Sequence, residues 1–260
     1  MEIAGYKSAR TVDINETDFM CEMRLSSMFG IFQEVAEPAS VELGFGFDVM
    51  RGKHNAAWIL TRIRVDIMRP PVWRDEIVVE TWNRRHSRAT FERDFVIRGL
   101  SGEPMAAAVT SWVVLDVDTR AMKTAADFGF DVPDIDLPRA IDCKLGRVRS
   151  PAALAANHER AVGYSDIDVN GHVNNARYVD YVMDCIPMDM HRERVVRSIE
   201  VGYWNEARAG NIISLRSAAH PNGPDIMYFE GADASGGAVF FRAKAEMAPR
   251  TGLGNAENGR

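Results

Sequence analysis

The sequence predicts an α+β chain built from two like halves in tandem. Three observations point there. The order of segments repeats: an extended stretch, one long helix and a run of strands, first from "YKSARTVDIN" to "AAAVTSWVVLDV" and again from "ERAVGYSDID" to "AVFFRAKAEM". The strand segments, such as "DEIVVETW" and "TSWVVLDV", are dominated by β-branched residues. Each half has a single long helix, which covers one face of a sheet of about five antiparallel strands; two such units side by side share one continuous sheet.

The first helix is expected over Met28–Leu43, where Met28, Ile31, Phe32, Val35, Ala39 and Leu43 form a stripe at helical spacing. The second follows from Val173, Ala176, Val179, Val182, Met183 and Ile186, with Asn174 or Asn175 as its cap and Pro187 as its stop. Between the halves, a stretch rich in Pro, Gly and Asp reads as a linker. The expected division is a first half over 1–127, a linker over 128–155, a second half over 156–250 and a disordered tail over 251–260. Aligned by placement, "RPPVWRDEIVVE" matches "WNEARAGNIISL", which sets Pro71 opposite Glu206.

Composition narrows the function classes. Of the 260 residues, 46% are apolar and 26% charged, as in soluble globular proteins. No apolar run is long enough to span a bilayer, and "MEIAGYKSAR" carries neither a signal nor a transit pattern, so the expected location is cytoplasmic. The three cysteines, Cys21, Cys143 and Cys185, are scattered and form no CxxC pair, which suggests neither a disulfide framework nor a zinc site. A formal charge of −6 argues against nucleic-acid binding.

The stretch richest in chemistry is "DIDVNGHVNNARY", Asp166–Tyr178. Asn170-Gly171 signals a hairpin turn, but the residues after it take helical spacing, so the segment reads as strand, tight turn and helix N-terminus. As structure alone it is a capped turn. As a site, it joins the unpaired N–H groups and positive dipole end of a helix to Asp168, Asn170 and His172. At alternate positions of an extended segment these three converge, and together they can orient a water and hold its proton. Nothing here calls for a metal or cofactor: there is no HExxH and no paired-His spacing. No GxSxG marks a serine nucleophile, "GFGFDV" lacks the third glycine of a dinucleotide loop, and Cys185 is expected to be a buried, inert thiol.

On these residues, with "AWILTRIRV", "RPPVWRDEIVVETW", "RDFVIRG" and "SWVVLDVDTRAM" in the same order, the sequence resembles the acyl-acyl carrier protein thioesterases, the plant plastid enzymes and their bacterial relatives, over about residues 6–248. The resemblance implies a tandem double hot-dog fold, each half a long helix wrapped by a curved antiparallel sheet. It implies hydrolysis of the thioester between a fatty acyl chain and acyl carrier protein, in fatty acid biosynthesis, without a cofactor. It carries the family's catalytic group onto Asp168, Asn170, His172 and Glu206. The N–H groups at the helix N-terminus, near Asn174 and Asn175, are expected to stabilise the oxyanion. The family often has Cys directly after that Glu; this sequence has Ala207, which favours direct attack by water. The first half lacks the group and is expected to hold the acyl chain.

Other readings stand beside this one. Glu206 alone is an ordinary turn residue. Trp58, Arg62, Trp73 and Trp82 pack the first sheet, and Gln33 and Glu34 are solvated or satisfied by backbone. The run "WNRRHSRATFER" is either a solvated strand face or a dock for an acidic carrier. Met68, Trp58 and Phe32 are candidates for setting acyl length. The rival functions are an acyl-CoA thioesterase or dehydratase of the same fold, and a non-catalytic acyl-binding regulator. Monomer and homodimer both remain open.

Overall fold

The computed structural model describes residues 5–84, 86–128, 132–149, 151, 153–220 and 223–250. The tail expected over 251–260 lies outside these.

The first half runs β1 (Tyr6–Thr11), α1 (Leu25–Glu42), α2 (Phe47–His54), β2 (Ala56–Ile67), β3 (Glu76–Asn83), β4 (Phe91–Gly99), β5 (Pro104–Asp116) and the short β6 (Met122–Lys123). The second runs β7 (Ala155–Ala161), α3 (Asn175–Asp184), α4 (Met188–Glu193), β8 (Arg194–Tyr203), β9 (Ile212–His220), β10 (Gly223–Asp233) and β11 (Val239–Pro249). All pair into one antiparallel sheet in the order β1-β3-β4-β5-β2-β8-β11-β10-β9-β7, with β6 beside β5. The order reads the same from both ends. Its centre is the β2–β8 pair, where Arg64 lies opposite Glu200 and Val65 opposite Ile199. This is the double hot-dog architecture: each half-sheet wraps one long helix.

Alternation explains how the helices and sheet meet. Along α1, Met28, Phe29, Ile31, Phe32 and Val35 are buried, and along α3, Tyr178, Val179, Tyr181 and Val182 are. They join Val65, Phe95, Ile97, Phe229 and Phe241 of the sheet in one apolar cluster that spans both halves. Phe32 and Phe95 are fully enclosed with ring centroids 5.0 Å apart; truncation of such a side chain costs about 3–5 kcal/mol.

The halves match hydrogen bond by hydrogen bond. Val12 N–H donates to Asp75 O and Val162 N–H to Asn211 O, both at 2.9 Å. Met23 N–H donates to Pro71 O at 2.7 Å, and Val173 N–H to Ala207 O at 2.9 Å. Met68 and Arg69 share Met105 O as acceptor; Trp204 and Asn205 share Phe240 O. Pro71 is therefore the counterpart of Ala207, and Pro70 that of Glu206. Aligning the two segments by placement gives a register off by one residue, because it has no backbone partner to fix it.

The segment between the halves differs from the linker expected there. Its described residues form no helix or strand after Asp127, yet they strap across the outer face of the sheet. Phe128 and Val132 pack with Phe45, Met50 and Phe91, and Ile135 packs with Trp82 and Val96. Arg62 Nη1 donates to Leu145 O at 3.3 Å. The apolar residues show no period because irregular backbone imposes none. The ends of the run over Trp82–Arg93 are not solvated: Trp82, Asn83, Phe91 and Arg93 are buried, and Arg84 donates to Leu137 O of the strap, while Ser87 and Arg88 between them are exposed.

Asp94 on β4 anchors the strap. Its Oδ2 accepts from Ala140 N–H at 2.9 Å, while Oδ1 is buried without a hydrogen-bond partner. Burial pushes this carboxyl up to about 6 from an ordinary value of 3.8. A folded-state pKa raised above the unfolded value means that folding favours the protonated form, so stability falls as pH rises from 3.8 towards about 6. Asp94→Asn keeps an acceptor for Ala140 and removes the charge. Its stability should match the parent near pH 4 and exceed it by on the order of 2–3 kcal/mol near pH 7; urea titrations across that range check the widening gap.

Candidate functional site

Residues 167–173 close a miniature hairpin rather than an extended segment. Ile167 bridges Val173, Asp168 N–H donates to His172 O at 2.9 Å, and Gly171 N–H donates to Asp168 O at 3.0 Å. Gly171 has φ +78, the left-handed position that ends a three-residue hairpin loop and that glycine occupies without strain. The Asn170-Gly171 signal thus forms a real turn with a single bridging pair. Asp168, Asn170 and His172 therefore do not stand at alternate positions of an extended strand. Asp168 Oδ1 accepts Asn170 N–H at 2.8 Å, and Asn170 itself is exposed at the tip of the turn.

His172 leaves this turn on the side of the loop after β8. There its Nε2 lies 3.2 Å from Glu206 Oε2, both side chains largely enclosed. Glu206 is fixed from the other side by Arg120, whose Nη2 donates to Oε1. Arg120 comes from the first half. It sits at φ +61 in the turn between β5 and β6, which Asp116 organises: Asp116 Oδ1 accepts the N–H of Thr119 at 2.9 Å and of Asp118 at 3.1 Å. Those bonds, led by Thr119, with Lys123 at 3.1 Å, hold the Asp116 carboxyl well below the usual range.

α3 begins directly after His172 and Val173. Asn174 is its cap, its Oδ1 accepting Ala176 N–H at 2.8 Å, and its own N–H is already given to Asp166 O at 2.9 Å. Of the two asparagines expected at the oxyanion position, Asn174 is therefore committed to the fold. Asn175 is the first helical residue, and its carbonyl accepts from Tyr203 Oη at 3.1 Å.

Tyr178 joins the three segments and was not signalled by the apolar stripe, which counts only residues without polar atoms. Its hydroxyl accepts Ala207 N–H at 3.1 Å, one residue past Glu206. Burial, then the nearby charges of Glu206 and Asp168, push this phenol up to about 12, so it is neutral at every working pH. Arg120 left no signal either: "DVDTRAM" announces a turn, and nothing in it names a partner in the other half. Cys185 ends α3, buried, its Sγ donating to Tyr181 O at 3.2 Å and its thiol pushed up to about 12 by burial, which suppresses thiolate formation. Among the described residues, no cluster of three or more His, Cys, Asp or Glu side chains is arranged to hold a metal ion, and no helix is long and apolar enough to cross a membrane.

A cavity of about 200 Å³ opens in the first half between α1 and the start of β2, lined by Gln33, Phe45, Trp58, Phe91, Arg93 and Trp112 among others. β2 runs antiparallel to β8 with Arg62 opposite Gly202, so Trp58 lies at the end of the sheet where the chain leaves Tyr203 for Glu206. Arg93 is enclosed there, donating to Thr81 Oγ1 at 3.3 Å and Ser40 Oγ at 3.2 Å, and burial lowers its guanidinium to about 10. Gln33 is neither solvated nor satisfied by backbone: its Nε2 is buried without a partner at the cavity. Of the three side chains expected to set acyl length, Trp58 lines this cavity, Phe32 packs in the core against Phe95, and Met68 is exposed.

Comparison with known proteins then assigns the family. Residues 4–128 match the N-terminal domain, and residues 150–244 the C-terminal domain, of acyl-ACP thioesterases. The chain belongs to the acyl-ACP thioesterase family. Curated relatives include oleoyl-acyl carrier protein thioesterase 2 of Arabidopsis thaliana, chloroplastic, 27% identical over 84% of this chain. Another is the dodecanoyl-[acyl-carrier-protein] hydrolase of Umbellularia californica, chloroplastic, 26% identical over 80%. The chain spans less than two thirds of their length, 64% of the first and 56% of the second. An acyl-ACP thioesterase from Bacteroides thetaiotaomicron has a similar solved structure, with TM-score 0.83 and 22% identity over 93% of this chain and 97% of that one. The 12:0-ACP thioesterase of Umbellularia californica superposes with TM-score 0.77 and 21% identity over 95% of this chain and 98% of that one. At those identities the two structures speak for the fold, shared over 93% and 95% of this chain.

The bond from Ala207 to Tyr178 gives a direct test of how this thioesterase-family site is held. Tyr178→Phe leaves a buried N–H unpartnered, which costs about 1–3 kcal/mol, and frees the loop carrying Glu206. Chemical denaturation should register that loss, and the NMR signal of the Ala207 amide should lose its protection from exchange.

Proposed function

We propose that this protein hydrolyses the thioester of a fatty acyl–acyl carrier protein and releases the free fatty acid. The observation that carries the reading is the 3.2 Å contact of His172 Nε2 with Glu206 Oε2 at the N-terminus of α3, made from two segments far apart in sequence. Membership of the family and the aromatic-lined cavity nearby support it.

In this reading Glu206 is the general base. It is the carboxylate in contact with the imidazole, whereas Asp168 Oδ1 is taken up by the turn. Water loses a proton to Glu206 as its oxygen attacks the thioester carbon. The carbonyl oxygen becomes negative opposite the N–H of Asn175 and the positive end of the α3 dipole, a preorganised donor that needs no rearrangement during attack. The proton taken up by Glu206 passes to His172, the tetrahedral intermediate collapses, the carbon–sulfur bond breaks, and the departing sulfur takes that proton from His172, which leaves Glu206 as carboxylate and His172 neutral. Asp168 fixes the turn. Asn170 contributes to water orientation once its amide turns inward from the tip. Ala207 offers no thiol, so no acyl-enzyme is formed there. The acyl chain lies in the first-half cavity.

The partner proposed is the acyl carrier protein, in the cytoplasm, and no second copy of the chain is required, since both halves pair within one molecule. The deciding experiment follows free thiol released by the purified protein from carrier-linked and CoA-linked acyl chains of graded length. Release from carrier substrates alone supports the proposal; release from CoA substrates alone favours the acyl-CoA reading, and turnover at background removes hydrolysis altogether.

Two further outcomes follow. His172→Ala and Glu206→Gln, each alone, should lower kcat by roughly one to four decades with the melting temperature nearly unchanged, while Asp168→Asn, which keeps the acceptor for Asn170 N–H, should cost less; full activity in the first two would reduce the segment to a capped turn. Trp58→Ala removes an indole packed against Phe91, ring centroids 4.9 Å apart. It should move the preferred acyl length upward, read as the ratio of kcat/KM across the graded series.

A further inference from the structure

The match between halves gives the reaction turn a counterpart that the proposed chemistry leaves unused. In the first half the same turn is built from Asp18 to Glu22. Asp18 N–H donates to Glu22 O at 2.8 Å, Cys21 N–H to Asp18 O at 3.0 Å, and Met20 N–H to Asp18 Oδ1 at 2.8 Å. Asp168 has its equal in Asp18, but Asn170 is replaced by Met20, His172 by Glu22 and Glu206 by Pro70. The Glu22 carboxylate is closed by both terminal nitrogens of Arg250, at 2.5 and 2.8 Å. No imidazole–carboxylate pair exists at this place.

Behind this turn lies a cavity of about 700 Å³, larger than the one of about 200 Å³ in the first half. The halves also differ in their helices: α1 runs unbroken for 18 residues, whereas α3 has 10 and is followed, after Pro187, by the separate α4. Counting from the matched turns, Gln33 corresponds to Met183 and Ala36 to Ile186, and each of the four lines its own cavity. The apolar part of the larger cavity's lining is Met23, Met28, Ile67, Met183, Ile186 and Met247; the rest is polar or charged and includes Asp18 and Asp180. Unbranched thioethers adapt to a flexible chain better than branched side chains do, and the volume suits a small-molecule ligand. At the mouth, Arg250, Arg160 and Arg194 are each paired with a carboxylate. Arg24 differs: its Nε donates to Thr17 O at 2.9 Å and its Nη2 to Asn15 O at 2.8 Å, and it has no carboxylate partner among the described residues.

We propose that the methionine-walled cavity behind the Asp18–Glu22 turn is a second, non-hydrolytic site that binds one unbranched fatty acid, tail inward and carboxylate at Arg24. The ligand class rests on the hydrolase reading, because it is the product of that reaction; the site itself does not.

Calorimetric titration of the full chain with a sixteen-carbon fatty acid should give two molecules bound per chain. Met183→Trp, which fills the second cavity, should reduce this to one while carrier-thioester turnover stays within about twofold. Arg24→Gln should weaken the second site about tenfold, the loss expected for one hydrogen bond to a charged group. A fatty acid with a photoreactive diazirine at its tail, used on the unaltered protein, should label peptides containing Met183 or Met247, and this measurement decides the matter even if Met183→Trp fails to fold. One site per chain, with adducts confined to the Trp58 cavity, overturns the inference. Normal turnover with that result leaves the hydrolase standing; two sites without turnover on any thioester leave the second site standing and remove the hydrolase.

Discussion

The antiparallel pairing of β2 with β8 is the contact on which everything else depends. Arg62 to Asp66 align with Gly202 to Ser198, and each half thereby covers an edge that would otherwise offer unpaired N–H and C=O groups to any passing chain. The same pairing lays α1 against α3 beneath one sheet and merges their apolar faces into a single cluster. It also brings a turn from each half against the other half. Without it there would be two half-covered sheets.

Arginines extend that dependence from the sheet to the chemistry. Arg120 leaves the hairpin after β5 and meets Glu206 in the second half; Arg250, just past β11, meets Glu22 in the first. Each crosses the boundary in the opposite sense. Arg suits this use because its planar fork engages a carboxylate bidentately, as Arg250 does with Glu22. Partly buried pairs of this kind are poor sources of net stability but strong constraints on geometry. The position of Glu206 relative to His172 is thus set by residues of both halves.

The sequence makes some of this legible and hides the rest for physical reasons. Both long helices declare themselves through spacing, and α1 and α3 begin within a turn of the expected residues. The site segment is visible because polar residues are concentrated where a strand meets a helix. Asn174 is recognisable as a cap. Arg120 is invisible, since its partner lies 86 residues away and only the folded sheet brings them together. Gln33 looks like a surface residue because a helix stripe does not reveal a cavity beside it. The one-residue slip between Pro71 and Glu206 comes from aligning segments that share placement but little identity; backbone hydrogen bonds to Met23 and Val173 carry the true register. The strap after Asp127 reads as a linker because irregular backbone scatters its buried residues without a period.

Two turns of the first half, the one at Asp18–Glu22 and the one between β2 and β3, carry a different meaning. Where the second half has Gly171 and Gly210 in left-handed backbone, the first half has Cys21 and Arg74 at φ 60 and 72, positions where a side chain costs strain. In an assembly of two identical protomers, every residue is present twice, and a substitution that spoils one turn spoils both. Joining the halves in one chain removes that constraint. The turn that carries His172 can keep its glycines and its ionisable group, while its twin drifts towards strain, methionine and closed ion pairs. Covalent fusion here buys asymmetry: one fold, repeated once, with each copy free to change under separate selection.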